Sequence, residues 1–154
     1  MQYNTIVRGF LALIVVAVVM TTCKAISAEC DHKLIQALIQ VESAGNDRAI
    51  GDRHLKDKAY GPLQIRKPCL EDVNRRHKTK YRPEDMLGNR SLSVWVCQKY
   101  IEMYATKQRL GRNPTLEDMA RIWNGGPSGW RKESTQTYWS KVRKALQQGQ
   151  LASK

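Results

Sequence analysis

The chain has 154 residues, of which 42% are hydrophobic, and its formal net charge is +12 at pH 7. This length and hydrophobic content allow one modest domain with a single core and exclude a large multidomain architecture. The excess of Lys and Arg favours an anionic partner such as a bacterial wall, a membrane surface or a nucleic acid, and charge alone does not choose among them.

Residues 1–28 have the pattern of a secretory signal peptide. An unbroken apolar run over residues 10–20 is shorter than the roughly 20 residues that a spanning helix needs. Ala28 then gives a small residue before a cleavage point at Glu29. We therefore predict a signal peptide over 1–28 and a mature domain over 29–154, secreted or extracellular (periplasmic in a bacterium), with no stable membrane insertion after cleavage. The alternative is an uncleaved membrane anchor.

Export places three mature cysteines, Cys30, Cys69 and Cys97, in an oxidising compartment. One disulfide and one remaining thiol are expected there. We predict a Cys69–Cys97 bridge, because both residues lie in predicted helices that must pack together, and Cys30 is the alternative partner. The histidines show no ligand spacing with the cysteines, so neither a metal nor a cofactor is predicted.

Apolar residues recur with helical spacing through most of the mature chain, which predicts a mainly α fold. Polar, glycine-punctuated residues 46–65 are predicted to form a long loop or small β-tongue after the first helix. The predicted helices cover about 33–43, 68–76, 90–107, a segment capped by Thr115 that carries Trp123, and a last segment that carries Trp139, Val142 and Leu146.

Glu42 is unusual because it shares one stripe of the first predicted helix with Leu38 and Val41. It also lies in the last turn, just before Gly45, where the negative end of the helix dipole disfavours an ionised carboxylate. One interpretation is a frayed helix end whose Glu reaches water or an Arg. The other is a carboxylic acid kept protonated so that it donates a proton.

Three later motifs each allow a structural and a functional interpretation. Residues 59–65, AYGPLQI, form either a plain tight turn or a close approach to a ligand, with Gln64 as donor and acceptor. Residues 122–126, IWNGG, either stop a helix or present Asn124 on an open polar wall. Tyr138 either packs in the core or hydrogen bonds to an acid in a pocket.

Taken in order, these motifs resemble the transglycosylase SLT family of the lysozyme-like superfamily. The catalytic helix of that family ends in Glu-Ser, as Glu42-Ser43 does, and its G-L-M-Q-I motif is similar to residues 61–65. Its A-Y-N-G/A-G motif resembles residues 122–126, and its late tyrosine corresponds to Tyr138.

The resemblance covers residues 33 to about 146, and two positions depart from the family pattern. Pro62 is inserted before Leu63, and Trp123 replaces the tyrosine of the family. These departures concern the shape of the sugar-binding subsites rather than the acid.

The resemblance implies an α+β lysozyme-like fold and cleavage of the β-1,4 bond between N-acetylmuramic acid and N-acetylglucosamine in peptidoglycan. Glu42 would be the catalytic acid. Ser43, Gln64, Asn124 and Tyr138 would orient the substrate or the acid.

Two products follow from two routes. In SLT relatives the 6-hydroxyl of muramic acid closes onto C1, so that a single Glu acts as acid and then as base and leaves a 1,6-anhydro end. Hydrolysis normally needs a second carboxylate, for which the chain offers Asp47, Asp52 and Asp57. The spacing of these aspartates singles out none of them.

A competing class is a non-catalytic cationic protein that binds or kills bacteria by charge. Loss of Arg8 and Lys24 with residues 1–28 leaves the mature chain at +10, which permits this function. Export disfavours a nucleic-acid partner, and we expect a monomer. The glycosylation sequon at Asn89 would matter only in a eukaryote.

Overall fold

The structure is a computed structural model that describes residues 32–152. Within this range the chain is mainly α-helical, with one two-stranded sheet, as the sequence predicts. The helices are α1 (32–43), α2 (Lys67–His77), α3 (Arg90–Tyr104), α4 (Lys107–Leu110), α5 (Leu116–Gly125) and α6 (Gln136–Ala152), and 3-10 helices cover Pro83–Met86, Gly129–Arg131 and Glu133–Thr135.

Helix α1 lies at the centre of the core. Leu34, Leu38 and Ile39 are at most 2% exposed, although they point to more than one side of the helix. The helix ends where Ala44 and Gly45 adopt left-handed backbone conformations, with φ of 51° and 84°. Such a termination is typical of an α-helix followed by glycine. The end of this helix is therefore fixed by both local backbone geometry and deep packing.

The predicted β-tongue is present between α1 and α2. Strand β1 (Ile50–Gly51) pairs antiparallel with β2 (Ala59–Tyr60), with Gly51 opposite Ala59. After β2 the chain turns at Gly61, where φ is 74° and an added Cβ would lie 2.6 Å from the carbonyl oxygen of Met86. Only glycine fits this close approach without a shift of the backbone, so the turn is held against Pro83–Met86.

The predicted helix over 90–107 is divided in the structure. Helix α3 ends at Tyr104, and the Thr106 side chain starts α4 by accepting a hydrogen bond from the Arg109 amide at 3.3 Å. The apolar stripe gave no sign of this break, because a threonine cap inside a helical pattern leaves the apolar periodicity almost unchanged.

The cap predicted for the fourth segment is present at the start of α5. Thr115 accepts a hydrogen bond from the Asp118 amide, and the Asp118 carboxylate accepts one from the Thr115 amide at 2.8 Å. The reciprocal arrangement satisfies two backbone donors that a helix start leaves unpaired. Helix α5 packs against α3 and α6 and against the two 3-10 helices that follow it.

The predicted disulfide is absent, because Cys69 on α2 and Cys97 on α3 are free thiols. The sequence correctly predicts that the helices bearing these cysteines pack together. Adjacent helices do not by themselves give the narrow Cβ–Cβ distance and torsion that a disulfide requires. Burial raises the pKa of both thiols. Negative charge on Cys69 and on Glu42 raises the pKa of Cys97 further.

Two other predictions lie outside the described residues, namely the signal peptide over 1–28 and the pairing of Cys30. In the part of the chain that the structure does describe, no helix combines the length and apolar character needed to cross a membrane.

Candidate active site

Glu42 lies half-buried in the last turn of α1 and is held by two aromatic side chains. The Tyr138 hydroxyl of α6 donates a hydrogen bond to Glu42 Oε1 at 2.7 Å, and the Trp123 side chain of α5 lies close enough to the carboxyl group to lower its pKa as a donor. The contact between a late tyrosine and an acid is thus the one that the sequence predicts. Three helices distant in sequence converge on one carboxyl group.

The pKa of Glu42 is raised above its usual value. Burial is the largest cause, because removal from water disfavours the charged form. The hydrogen bonds from Tyr138 and Trp123 and the positive charge of Arg66 act in the opposite direction, and the negative charge of Asp52 adds to the rise. The environment therefore favours a protonated acid, as the second interpretation of Glu42 requires.

Glu42 faces an open cleft of about 400 Å³ between the β-tongue, α2 and the end of α5. This volume lies within the usual range for small-molecule and substrate sites. The cleft is lined by Glu42, Gly51, Asp52, Ala59, Gln64, Ile65, Arg66, Cys69, Trp123 and Asn124.

Gln64 lies on the tongue side of the cleft in a strained conformation. Its φ is 49°, and its side-chain amide donates to the Gly61 carbonyl at 2.8 Å and the Ala49 carbonyl at 3.4 Å. An added Cβ on Gly51 would lie 2.2 Å from Gln64 Oε1. The glycine in β1 therefore makes room for the Gln64 side chain, and the observed strain is of the kind that concentrates at functional sites.

Ser43 is not among the residues that line the cleft. Its hydroxyl donates to the Pro62 carbonyl at 2.8 Å and to the Ile39 carbonyl at 3.3 Å. These bonds tie the end of α1 to the turn before Gln64. The structure thus places Ser43 behind the site, although the sequence grouped it with the substrate-binding residues.

Asn124 is exposed and lines the cleft at the end of α5. The chain after it is anchored by Arg121, which donates to the Thr135 hydroxyl at 2.9 Å and to the Lys132 carbonyl at 3.0 Å. Gly125 is needed there, because an added Cβ would lie 2.5 Å from Thr135 Cγ2. Gly125 therefore serves close packing, Gly126 allows a φ of 80°, and the asparagine is the side chain of the motif that faces the cleft.

The three candidate aspartates have different environments. Asp52 lines the cleft, forms an ion pair with Arg66, and has a φ of 50°. Asp47 pairs instead with Arg90 at 2.8 Å, and Asp57 is exposed on the tongue. Of the three, Asp52 is the one that faces the same space as Glu42.

Three cleft residues have roles that sequence reasoning missed, namely Trp123, Arg66 and Cys69. The helical spacing of Trp123 indicates a core position, and the ring does pack against the core while its edge reaches Glu42. The Trp in place of the family tyrosine was a signal for this contact, since both side chains carry a hydrogen-bond donor. Arg66 and Cys69 had no such signal.

No group of His, Cys, Asp and Glu side chains within residues 32–152 is arranged to hold a metal ion. The chemistry that the described side chains offer is proton transfer from a buried carboxylic acid. An acid of this kind at the end of a central helix, above a cleft beside a short β-tongue, is the arrangement of lysozyme-like glycosidases.

The chain belongs to the transglycosylase SLT family, since the family described as "Transglycosylase SLT domain" matches residues 23–146. It is accordingly a peptidoglycan glycosidase of the lysozyme-like class.

Individual relatives agree with this assignment. A lysozyme of Ostrea edulis is 25% identical over 132 residues, covering 86% of this chain and 93% of the relative. The crystal structure of Tapes japonica lysozyme has a TM-score of 0.59 and 26% identity, and that of an inhibitor-bound lysozyme from Meretrix lusoria has a TM-score of 0.60 and 24% identity. Both structural matches cover 73% of this chain and 87% of the matched chain.

Proposed function

We propose that this protein is a secreted enzyme that cleaves the β-1,4 bond between N-acetylmuramic acid and N-acetylglucosamine, with Glu42 as the general acid. The observation that carries the proposal is a half-buried Glu42, its pKa raised mainly by burial, facing a cleft of about 400 Å³. A carboxyl group that holds its proton to a higher pH than usual is suited to protonate a glycosidic oxygen.

In the proposed first step, Glu42 donates its proton to the oxygen that links the two sugars. The bond from C1 to that oxygen breaks, and positive charge develops on the ring of the muramic acid. Tyr138 would hold the carboxyl group in one orientation through its hydrogen bond, beside the Trp123 side chain. Such positioning matters because a misaligned acid loses much of its catalytic effect.

We infer that Asp52 is the second carboxylate of the reaction. It lines the same cleft, and its negative charge is felt at Glu42, whose pKa it helps to raise. A carboxylate in this position would stabilise the positive charge that develops on the sugar. Its ion pair with Arg66 would hold the carboxylate in place.

A second carboxylate supports hydrolysis over 1,6-anhydro formation, and the relatives named lysozyme support the same product. Glu42 would then receive a proton from the attacking water in the second step and return to its starting state. Gln64 and Asn124, which line the cleft on opposite elements, would bind the acetamido and hydroxyl groups of the glycan. Ser43 would act indirectly, by holding the turn that carries Gln64.

The test measures muropeptide release from purified walls by Glu42→Gln and Asp52→Asn, with Asp47→Asn as the matched control. We expect both cleft variants to lose at least about 10²-fold in rate, because acid catalysis contributes that much or more, and the control to keep its activity. Mass spectrometry of the wild-type products should find reducing ends.

Two results would change the proposal. Muropeptide release at the wild-type rate by a folded Glu42→Gln protein would exclude Glu42 as the general acid. Anhydro ends together with an active Asp52→Asn variant would keep Glu42 as the acid but assign the single-Glu route of the lytic transglycosylases.

A further inference from the structure

A second surface, at the far end of α2, has a strong local positive charge. Residues 75–82, RRHKTKYR, hold five Lys or Arg and no acid. Arg75 and Arg82 are paired with Asp72 and Asp85. The other three cations, Arg76, Lys78 and Lys80, are exposed and form no ion pair within the described residues.

The end of a helix accounts for only part of this charge. A cation in the last turn, such as Arg76, interacts favourably with the negative end of the helix dipole. Lys78 and Lys80 follow the helix, and the dipole effect falls off within the last turn. The two lysines therefore require another explanation.

The segment that carries these lysines is held rigidly. The Asn74 side chain donates to the Tyr81 carbonyl at 2.8 Å and accepts from the Thr79 hydroxyl at 2.8 Å and from the Tyr81 amide at 3.2 Å. Trp95 of α3 makes edge-to-face contacts with His77 and Tyr81, at centroid distances of 5.4 and 5.9 Å. The cations are thus displayed on an ordered frame, which lowers the entropic cost of binding.

The surface continues into a second cavity, of about 410 Å³, between the ends of α2 and α3. Arg76 and His77 line its mouth. Lys99 and Glu102 also line it and form an ion pair at 2.7 Å. The unpaired charge of this cavity is therefore that of Arg76, beside aromatic and apolar walls.

We propose that the surface formed by Arg76, His77, Lys78, Lys80, Tyr81 and Trp95, which we term the basic platform, binds the phosphodiester groups of anionic wall polymers. The proposal rests on the proposed action at bacterial walls. Stem peptides of peptidoglycan carry amines beside their carboxylates, whereas a polyol-phosphate polymer carries one uncompensated negative charge per repeat. Three unpaired cations within five residues complement the second kind of chain.

Helix α2 connects the basic platform to the cleft. Cys69 lines the cleft and Arg76 belongs to the platform, so the two sites are about 10 Å apart along the axis of α2, at 1.5 Å per residue. One wall fragment that carries both glycan and phosphate polymer would engage both sites. Binding at the platform would then raise the effective concentration of glycan at the cleft.

The test compares Arg76→Gln/Lys78→Gln/Lys80→Gln with a control that removes equal charge from α6, Lys141→Gln/Arg143→Gln/Lys144→Gln, whose three residues are also exposed. Sedimentation with walls that retain phosphate polymers measures binding, and the same walls stripped by hydrofluoric acid supply the comparison. We expect the platform variant to bind phosphate-bearing walls at least about tenfold more weakly than the wild type or the control. All three proteins should bind and cleave stripped walls equally.

A measurement on the wild type removes any dependence on how well the variant folds. Soluble polyglycerol phosphate should release the wild-type protein from phosphate-bearing walls, and neutral dextran should not. Equal weakening in the control variant, equal weakening on stripped walls, or a defect confined to nucleic acid or anionic vesicles would each overturn the proposal. If none of the three proteins cleaves stripped walls, the proposed function itself is contradicted.

Discussion

Tyr138 is the side chain through which the last helix acts on the acid of the first. Its hydroxyl donates to Glu42 and lowers the pKa of that carboxyl group, against the larger effect of burial. Burial and the nearby charge of Glu42 raise the pKa of Tyr138 itself, so that the phenol stays a donor. The two residues are therefore coupled in the pH dependence of the reaction.

We predict that Tyr138→Phe moves the alkaline limb of the pH–rate profile to higher pH. A general acid works only while protonated, and removal of a bond that lowers its pKa lets the proton remain to higher pH. The rate at the optimum should fall by about tenfold or more as the acid loses its orientation. Tyr104→Phe, which loses a hydroxyl bonded to Asp72 at 2.7 Å, should leave the limb in place.

Glu42 also makes the folded state sensitive to pH. Because its pKa is raised on folding, the native state holds the proton over a range in which the unfolded state has released it. The contribution of this group to stability is fully present below its usual pKa of 4.5 and is lost as the pH rises through the folded pKa.

We predict that Glu42→Gln is more stable than the wild type at pH 7 and that the difference shrinks toward pH 4. A neutral amide is easier to bury than a group under pressure to ionise. Urea unfolding at several pH values measures the difference. A constant difference across the range would show that the carboxyl group does not carry the pH dependence.

At the scale of one element, helix α5 depends on the acid at its start. Burial of Asp118 opposes its ionisation, but hydrogen bonds from Arg112 and from the amide and hydroxyl of Thr115 outweigh burial and lower its pKa. A carboxylate whose pKa is lowered on folding stabilises the native state at pH values above its unfolded pKa. This contribution is lost as the pH falls through the folded pKa.

We predict that Asp118→Asn costs about 1–3 kcal/mol of unfolding free energy near neutral pH, as expected when buried charged hydrogen bonds are weakened. The difference from the wild type should begin to narrow below about pH 4, where the unfolded carboxylate takes up a proton, and should disappear only as the pH falls through the lower folded pKa. Glu133→Gln, at an exposed acid, is the control. The prediction fails if the loss is the same at pH 3 and pH 7.

Elements with a local signal were predictable from sequence. The cap at Thr115, the end of α1 at Gly45 and the acid on its buried face all follow from residues within one or two turns of each other. The sequence did not predict the break between α3 and α4 or the 3-10 helices after α5. Single hydrogen bonds to a hydroxyl or a carbonyl group determine these features. At the candidate site, the contact between Glu42 and Tyr138 was predictable from the motifs. The position of Asp52 depends on the course of the tongue, which the spacing of residues does not indicate.

At the scale of the molecule, charge should assist the encounter with the wall. The chain has a formal net charge of +12, and bacterial walls are anionic. Exposed charges are screened within about 8 Å at physiological salt and about 3 Å at 1 M.

We therefore predict that activity on whole cells falls several-fold between low and high ionic strength, because steering of a charged substrate weakens with salt. Cleavage of a small neutral chitooligosaccharide should change much less, and rates on the two substrates over one salt series provide the check. If the rates on both substrates fall equally with salt, electrostatic steering does not assist binding to the wall.

The central position of α1 has a consequence for how the enzyme fails on heating. Leu34, Leu38 and Ile39 anchor this helix in the core, although Gln36 and Gln40 on its opposite face are exposed. Segments so placed open only when the whole domain does, unlike loops and chain ends. Since the same helix carries the proposed catalytic acid, inactivation and melting should be a single event. The lytic rate of a heated sample is then a direct reading of the fraction of molecules still folded.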